Sequence, residues 1–183
     1  TAELLDAVTH MNSSQVIILP NNKNIIPVAN QIDALTEKTV VVVPTCSMPE
    51  ALAALVHYDP EGTAESNAAA MNAAISTVST GEVTCAVRST KTEAGQVNEG
   101  DWIGLVRGDG VVAIGGTAVA AATTLLDHII GESGELLTLI AGSDATARMV
   151  EEVTAYVADR HPSVEVEVHQ GGQPLYPFLF GVE

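Results

Sequence analysis

The chain of 183 residues is poor in cysteine, in aromatic residues and in long apolar runs. Its two cysteines, Cys46 and Cys85, form no CxxC pair and have no histidines at ligand spacing, so neither a disulfide scaffold nor a zinc site is indicated. We interpret them as small buried thiols in a reducing cytoplasm. No apolar run approaches the ~20 residues that a membrane-spanning helix needs, and we therefore expect no membrane insertion.

Basic residues are also scarce: 7 Lys and Arg stand against 23 Asp and Glu, which gives a formal net charge of −16. A nucleic-acid partner requires a basic surface that neutralises phosphates, so this charge balance argues against one. Anionic membrane surfaces are disfavoured for the same reason. We interpret the excess as a solvated acidic surface, with contact to a basic partner as the alternative.

The motifs of the common catalytic sites are missing. The chain contains no GxxxxGK[ST] phosphate loop, and Gly115-Gly116-Thr117 lacks the spacing of a dinucleotide fingerprint. No HExxH, GxSxG or DxDxDG pattern occurs. We therefore predict no ATP site, no catalytic residues and no metal ligands in this chain. Because Thr1 to Asp6 read as the start of a helix without an initiator Met, we expect a piece of a longer protein.

An approximate repeat fills the first 60 residues. The apolar run 16–20 is followed by polar Asn21 to Asn24 and a helical segment, 25–35, and the apolar run 40–44 is followed by Thr45 to Ser47 and a helix, 49–56. Unbroken Val and Ile runs are typical of parallel strands that are buried on both faces. The repeat predicts a βαβ unit in which Asn24 and Ser47 cap the helices.

The remaining residues predict a mixed region and then a second βαβ unit. The expected elements are a helix over 64–78, antiparallel strands at 83–88, 102–107 and 111–114, a helix over 117–130, a strand at 136–140, a helix over 145–160 capped by Ser143 or Asp144, a strand at 164–168, and a tail at 178–182 that re-enters a sheet. The predicted fold class is α/β, with an N-terminal lobe (1–80), a β-ribbon region (81–116) and a C-terminal lobe (117–183).

Two groups of residues are candidates for binding. Polar loops at the carboxyl ends of parallel strands are where open α/β sheets bind ligands, and each such loop here also presents a helix N-terminus suited to an anion. The alternative is that the same residue types are ordinary caps and turns. The candidates are Asn21, Asn22, Lys23, Asn24, Thr45 and Ser47 in the loops, and His169, Gly171, Gly172 and Gln173 where the last strand runs into glycine.

Five segments together resemble one protein family. They are Ile17–Asn24, Val43–Pro49, Gly81–Thr84 with Ala86–Arg88, Gly100–Gly104 and His169–Pro177. They are similar to the C-terminal domain of the ATP-binding subunit of bacterial fatty acid kinase, a protein with an N-terminal dihydroxyacetone-kinase-like (DhaL-type) domain. The resemblance covers essentially the whole chain and implies a fold distantly like that of DegV proteins.

The resemblance implies a function that this chain does not carry out alone. The full-length enzyme phosphorylates the carboxylate of a fatty acid that a separate DegV-type protein carries, and ATP and magnesium belong to the N-terminal kinase domain. The implied role of this chain is to dock the DegV-type partner through the candidate residues above. Direct binding of a fatty acid or small anion, and an oligomerisation module, stay open as alternatives, as does a homodimer of the full-length protein.

Overall fold

Parallel pairing of the two Val- and Ile-rich runs organises the first of two units, Thr1–Val78 and Ser79–Glu183. The computed structural model describes residues 1–131 and 134–183. The elements of the first unit are α1 (Ala2–His10), β1 (Gln15–Ile18), α2 (Ile26–Ala29), a 3₁₀ turn (Asp33–Leu35), β2 (Thr39–Val42), α3 (Met48–Val56) and α4 (Ala64–Ile75).

Strand alternation gives β1 an apolar cluster on each face. Val16 and Ile18 pack with buried residues of α1 and α2, whereas Ile17 and Leu19 pack with α3 and α4. Both faces of the parallel pair are thus covered, which is why the strand sequence shows no polar alternation. The predicted βαβ organisation is confirmed.

Two local predictions in this unit differ from the structure. The segment 25–35 is not one helix but the four-residue α2 followed by the 3₁₀ turn, and Pro27 lies in the first turn of α2. Asn24 does not cap α2, whose N-cap is Ile25 without a side-chain bond. Ser47 does cap α3, because its hydroxyl accepts a hydrogen bond from the Glu50 N–H.

The second unit is built on a six-stranded sheet in the order β7-β6-β3-β10-β8-β9. In this sheet, as the structure describes it, β8 and β9 pair in parallel and the other neighbours are antiparallel. Its elements are β3 (Ser79–Cys85), β4 (Thr90–Thr92), β5 (Gly95–Val97), β6 (Trp102–Val106), β7 (Gly110–Gly115), α5 (Ala118–Ile129), β8 (Leu136–Ala141), α6 (Ala147–Arg160), β9 (Glu165–Gln170) and β10 (Phe178–Val182).

Several predictions for the second unit need correction. The segment 81–116 is not a separate ribbon, since β3, β6 and β7 belong to the same sheet as β8 to β10. A short hairpin, β4–β5, was not predicted. The cap of α6 is Thr146 rather than Ser143 or Asp144. Cys85 is exposed and Cys46 is partly exposed, so the expectation of two buried thiols is wrong.

The tail does re-enter a sheet, and it does so at the centre. All five residues of β10 are buried between β3 and β8. Phe178 and Phe180 are completely buried and their rings stack with centroids 5.8 Å apart. Two of the six aromatic residues of the chain therefore form the middle of this core.

Truncating Phe180 to Ala should destabilise the second unit strongly, because it removes a ring from a fully buried site. We expect a loss of about 3–5 kcal/mol in the free energy of unfolding, measured by urea titration with circular dichroism. The control is Val168→Ala in the edge strand β9, where Val168 is 42 % exposed. Equal effects of the two substitutions would contradict the central placement of β10.

A polar contact links α5 to α6. The Tyr156 hydroxyl donates to Asp127 Oδ2 (2.6 Å), and His161 Nε2 lies 3.0 Å from Asp127 Oδ1. Burial alone would raise the pKa of Asp127, but the hydrogen bonds from Tyr156 and His161 outweigh it and hold the pKa below its ordinary value. The carboxylate form of Asp127 is therefore favoured in the folded chain.

The lowered pKa of Asp127 predicts that the second unit becomes less stable in acid. The contribution of Asp127 is fully present above the pKa of an unfolded Asp, about 4, and is lost as the pH falls through the lower folded-state pKa. We expect Asp127→Asn to reduce the fall in Tm between about pH 5 and pH 2, measured by thermal unfolding. Asp159→Asn, on the exposed side of α6, is the control; an equal reduction there would refute the assignment.

Candidate functional site

Asn21 and Thr45 join the two loops at the carboxyl ends of β1 and β2. Thr45 is completely buried. Its hydroxyl donates to Asn21 Oδ1 (2.8 Å) and accepts from the Asn21 N–H (3.1 Å). Asn21 has a φ of 54°, a left-handed conformation that asparagine tolerates better than most residues. These two candidates therefore serve the loops themselves, and they fix one loop against the other.

Asn22, Lys23 and Asn24 are the exposed part of the first loop. Asn22 Oδ1 accepts from the Asn24 N–H (2.8 Å), which holds the loop in a local turn. Lys23 lies at the tip. The other basic residue of the first unit, Lys38, donates through Nζ to the carbonyls of Val8 (2.8 Å) and Thr9 (3.1 Å) at the end of α1. Lys23 is thus the cation that this edge presents to solvent.

The N-terminus of α3 is occupied by a carboxylate of the chain itself. Glu50 is only 2 % exposed, and its Oε2 accepts from the Cys46 N–H at 2.6 Å. The Ser47 hydroxyl accepts from the Glu50 N–H at 3.4 Å. Two of the N–H groups at this helix end, those of Cys46 and Glu50, are therefore bonded within the fold, and a negative charge of the chain itself lies beside them. Sequence reasoning missed Glu50, although Ser47-x-x-Glu50 is the spacing of a capping box.

Three of the four tail candidates hold the chain against the end of β8. The N–H groups of Gly171 and Gly172 both donate to the Ala141 carbonyl, at 2.9 and 3.1 Å. A Cβ at Gly171 would lie 2.4 Å from Ile140 Cγ2, and Gly172 has a φ of 66°, so both positions favour glycine. Gln173 Nε2 donates to the carbonyls of Ile140 (3.2 Å) and Tyr176 (3.0 Å).

His169 is the tail candidate whose functional side chain faces solvent; Gly171 and Gly172 are exposed as well. Its side chain is 51 % exposed and its Nε2 lies 3.6 Å from Glu167 Oε2. The loop candidates belong to the first unit and the tail candidates to the second. Within the first unit the structure brings Asn21 and Thr45 together, and within the second it brings Gly171, Gly172 and Gln173 together.

Leu175 is a feature of the tail that the sequence did not reveal. It is 72 % exposed and has a φ of 70°, in the left-handed region that a leucine rarely adopts. The Thr84 hydroxyl donates to its carbonyl at 2.9 Å.

Two ionisable groups near the tail have shifted pKa values. Burial raises the pKa of the Tyr176 phenol, and the nearby Glu82 carboxyl raises it further. Burial also raises the pKa of Glu82.

A cavity of about 400 Å³ lies in the first unit and was also not predicted. Its walls come from the residues around β1, from the end of α3 and from α4. They are Met11, Ser13, Gln15, Val16, Ile17, Leu19, Leu55, Tyr58, Pro60, Gly62, Ala64, Asn67 and Met71.

No helix in residues 1–131 and 134–183 has the length and apolar character that crossing a bilayer demands.

The arrangement of strands and helices is that of DegV-family proteins. A DegV protein from Eubacterium eligens loaded with heptadecanoic acid matches with a TM-score of 0.68 at 11 % identity, covering 98 % of this chain and 76 % of that one. The fatty acid kinase B3 protein of Streptococcus pneumoniae loaded with linoleic acid matches at 0.66 and 10 % identity, covering 100 % and 75 %. The dihydroxyacetone kinase of C. freundii matches at 0.62 and 11 %, covering 99 % and 40 %. These identities establish the fold alone.

The family follows from the sequence itself. Residues 1–183 match the FakA-like C-terminal family, which comprises the C-terminal region of FakA-like fatty acid kinase proteins, and the chain belongs to this family. It is 36 % identical to "Protein YloV" of Bacillus subtilis and 38 % identical to an uncharacterized protein of Staphylococcus haemolyticus, in each case over all 183 residues. The chain spans about a third (33 %) of the length of these relatives.

Replacing Thr45 by Val should loosen the joined loops, because Val keeps the shape and removes the hydroxyl. The N–H and Oδ1 of Asn21 then lose their partner, which we expect to cost about 1–3 kcal/mol of unfolding free energy, measured by urea titration. Thr124→Val is the control, since that exposed hydroxyl bonds only the Ala120 carbonyl of its own helix. A Thr45→Val effect no larger than the control would contradict the structural role of this contact.

Proposed function

We propose that this chain is the domain of a fatty acid kinase that docks a DegV-type fatty-acid-binding protein. The kinase chemistry, with its ATP and magnesium, belongs to the N-terminal kinase domain of the longer protein. That protein acts in the cytoplasm, phosphorylating the carboxylate of the carried fatty acid. Family membership supports the kinase assignment, and a kinase B3 protein of the same fold that carries linoleic acid supports the kind of partner.

One observation favours docking of a partner protein over direct binding of a ligand. At the carboxyl edge of β1 and β2, the Thr45 hydroxyl donates to Asn21 and the Cys46 N–H donates to Glu50, both within the chain. A fatty acid carboxylate placed there would lie beside the buried Glu50 carboxylate, and two like charges in a buried site repel each other. What this edge offers to the outside is an exposed polar turn, Asn22 to Asn24, on a rigid base.

On this proposal, some candidate residues contact the partner and the others hold the loops and the tail in shape. Asn22, Lys23 and Asn24 are exposed and make the contact from the first unit, whereas His169 is a separate exposed candidate in the second unit. The remaining candidates keep the loops and tail in shape; they are Asn21, Thr45, Ser47, Gly171, Gly172 and Gln173. A shape that is fixed before binding loses less conformational freedom on docking. The expected benefit is proximity, because the carrier then presents its carboxylate to the kinase domain.

The test is binding of this chain to an oleate-loaded DegV-type carrier, measured by isothermal titration calorimetry. We expect Lys23→Glu to weaken binding about tenfold, a change of roughly 1.4 kcal/mol. Lys91→Glu in β4 is the matched control, because it makes the same charge change at an exposed position of the other unit. Equal loss in both variants would mean a general charge effect and would count against the contact at Lys23.

Two further outcomes separate docking from its alternatives. No binding of the folded wild-type chain at tens of micromolar carrier would refute docking. Saturable binding of labelled oleate without any carrier would support the direct ligand-binding alternative. Concentration-dependent light scattering of the chain alone would support the oligomerisation module.

A further inference from the structure

The two edges of the β1–β2 sheet differ in how far other parts of the chain cover them. In the first unit, all of which the structure describes, β1 pairs only with β2. The outer edge of β2 is protected: the Val40 N–H donates to Asp33 Oδ1 (2.8 Å), and the 3₁₀ turn packs beside the strand. At the outer edge of β1, the Ala64 N–H at the start of α4 donates to the Gln15 side chain (2.7 Å), but no hydrogen bond within this unit reaches the outward peptide groups of Ile17 and Leu19. An open strand edge is a template for another strand.

Register shows which peptide groups lie on that open edge. The Thr39 N–H donates to the Ser14 carbonyl and the Val43 N–H to the Ile18 carbonyl, so the even-numbered residues of β1 bond β2. The odd-numbered residues consequently face outward. The Ser13 hydroxyl accepts from the Gln15 N–H and donates to the Gln15 carbonyl. The N–H and C=O of Ile17 and the N–H of Leu19 are left facing away from β2.

The cavity of about 400 Å³ lies along the same edge. Its walls include Gln15, Ile17 and Leu19 but no residue of β2. Three apolar residues around it are about half exposed, namely Met11 (50 %), Leu55 (49 %) and Tyr58 (51 %). The edge thus combines outward peptide groups with an unfilled apolar wall, which is the arrangement that an added strand completes.

We infer that the open edge of β1 pairs with an extended segment of the longer protein to which these 183 residues belong. Two lengths support a segment of the same protein rather than a separate partner. The relatives are about three times as long as this chain, since it spans 33 % of them. The DegV-family structures, which share the fold, contain about a quarter of their length without a counterpart here, since 76 % is covered.

The site also defines the chemistry of the segment. The helices α1 and α2 pack on one face of β1, and α3 and α4 pack on the other. An added strand would continue this sheet and contact the apolar wall of the cavity, so a run of at least about four Val, Ile, Leu or Ala residues is expected. Pairing would cover the outward groups of Ile17 and Leu19 and place apolar side chains against Leu55 and Tyr58.

Amide hydrogen exchange of Ile17 and Leu19 tests the inference directly. In the 183-residue chain these two amides should exchange much faster than those of Val16 and Ile18, which bond β2. In the longer protein, without any partner, we expect their exchange to slow by about 100-fold or more. Equally fast exchange in both proteins would overturn the inference. Protection that appears only with added carrier, or only at high concentration of the 183-residue chain, would overturn it as well, in favour of a carrier segment or a second copy.

A pair of substitutions gives an independent readout. Leu55→Lys places a charge on the cavity wall, whereas Val56→Lys changes its neighbour, which is 82 % exposed and outside the cavity. In the longer protein we expect Leu55→Lys to lower Tm by about 5 °C or more and Val56→Lys by less than about 2 °C. In the 183-residue chain both effects should be small. An equal effect of Leu55→Lys in the two proteins would overturn the inference.

Discussion

Pairing of β10 with both β3 and β8 is the interaction on which the second unit depends. Without Phe178 to Val182 the sheet would separate into β7-β6-β3 and β8-β9, and the apolar face under α5 and α6 would be divided. The contact is also distant in sequence, since Val182 pairs with Ser79. A segment with such neighbours must be apolar throughout and must arrive in the right register. Both requirements explain the aromatic residues at the end of a chain that contains few.

The shape of the tail follows from the position of β10. The chain leaves β9 on one side of β8 and must return on the other side as β10, so it crosses the carboxyl end of β8. Gln170 still pairs with Ala141, and Phe178 pairs with the same residue from the opposite side. Between them the backbone turns closely around the last peptide groups of β8, where Gly171 and Gly172 share one carbonyl and Gln173 binds another. The Gly-Gly-Gln-Pro-Leu-Tyr-Pro segment is thus primarily a crossover.

Periodicity and composition were sufficient to predict most strands and the helix order, because burial on two faces leaves a continuous apolar run. They were not sufficient where a short element depends on its neighbours. The four-residue α2 and the three-residue strands of the β4–β5 hairpin are too short to show a clear period, and Thr146 follows two other good cap residues, Ser143 and Asp144. The same limit applies to the site. Asn, Thr and Ser in a loop indicate polar contacts, but the sequence does not show whether the partner is the chain itself or another molecule.

For the loops of the first unit, that distinction changes what the edge can do. The Thr45 hydroxyl donates to Asn21 and the Cys46 N–H donates to the buried Glu50, so a negative charge already lies where a free carboxylate would have to bind. The two bonds between Asn21 and Thr45 hold the base of the exposed turn around Lys23 against the second loop. A rigid polar turn with one cation, on a chain that is otherwise strongly acidic, suits recognition of a surface better than capture of a small anion. The internal bonds that weaken the ligand-binding alternative are therefore the same ones that favour docking.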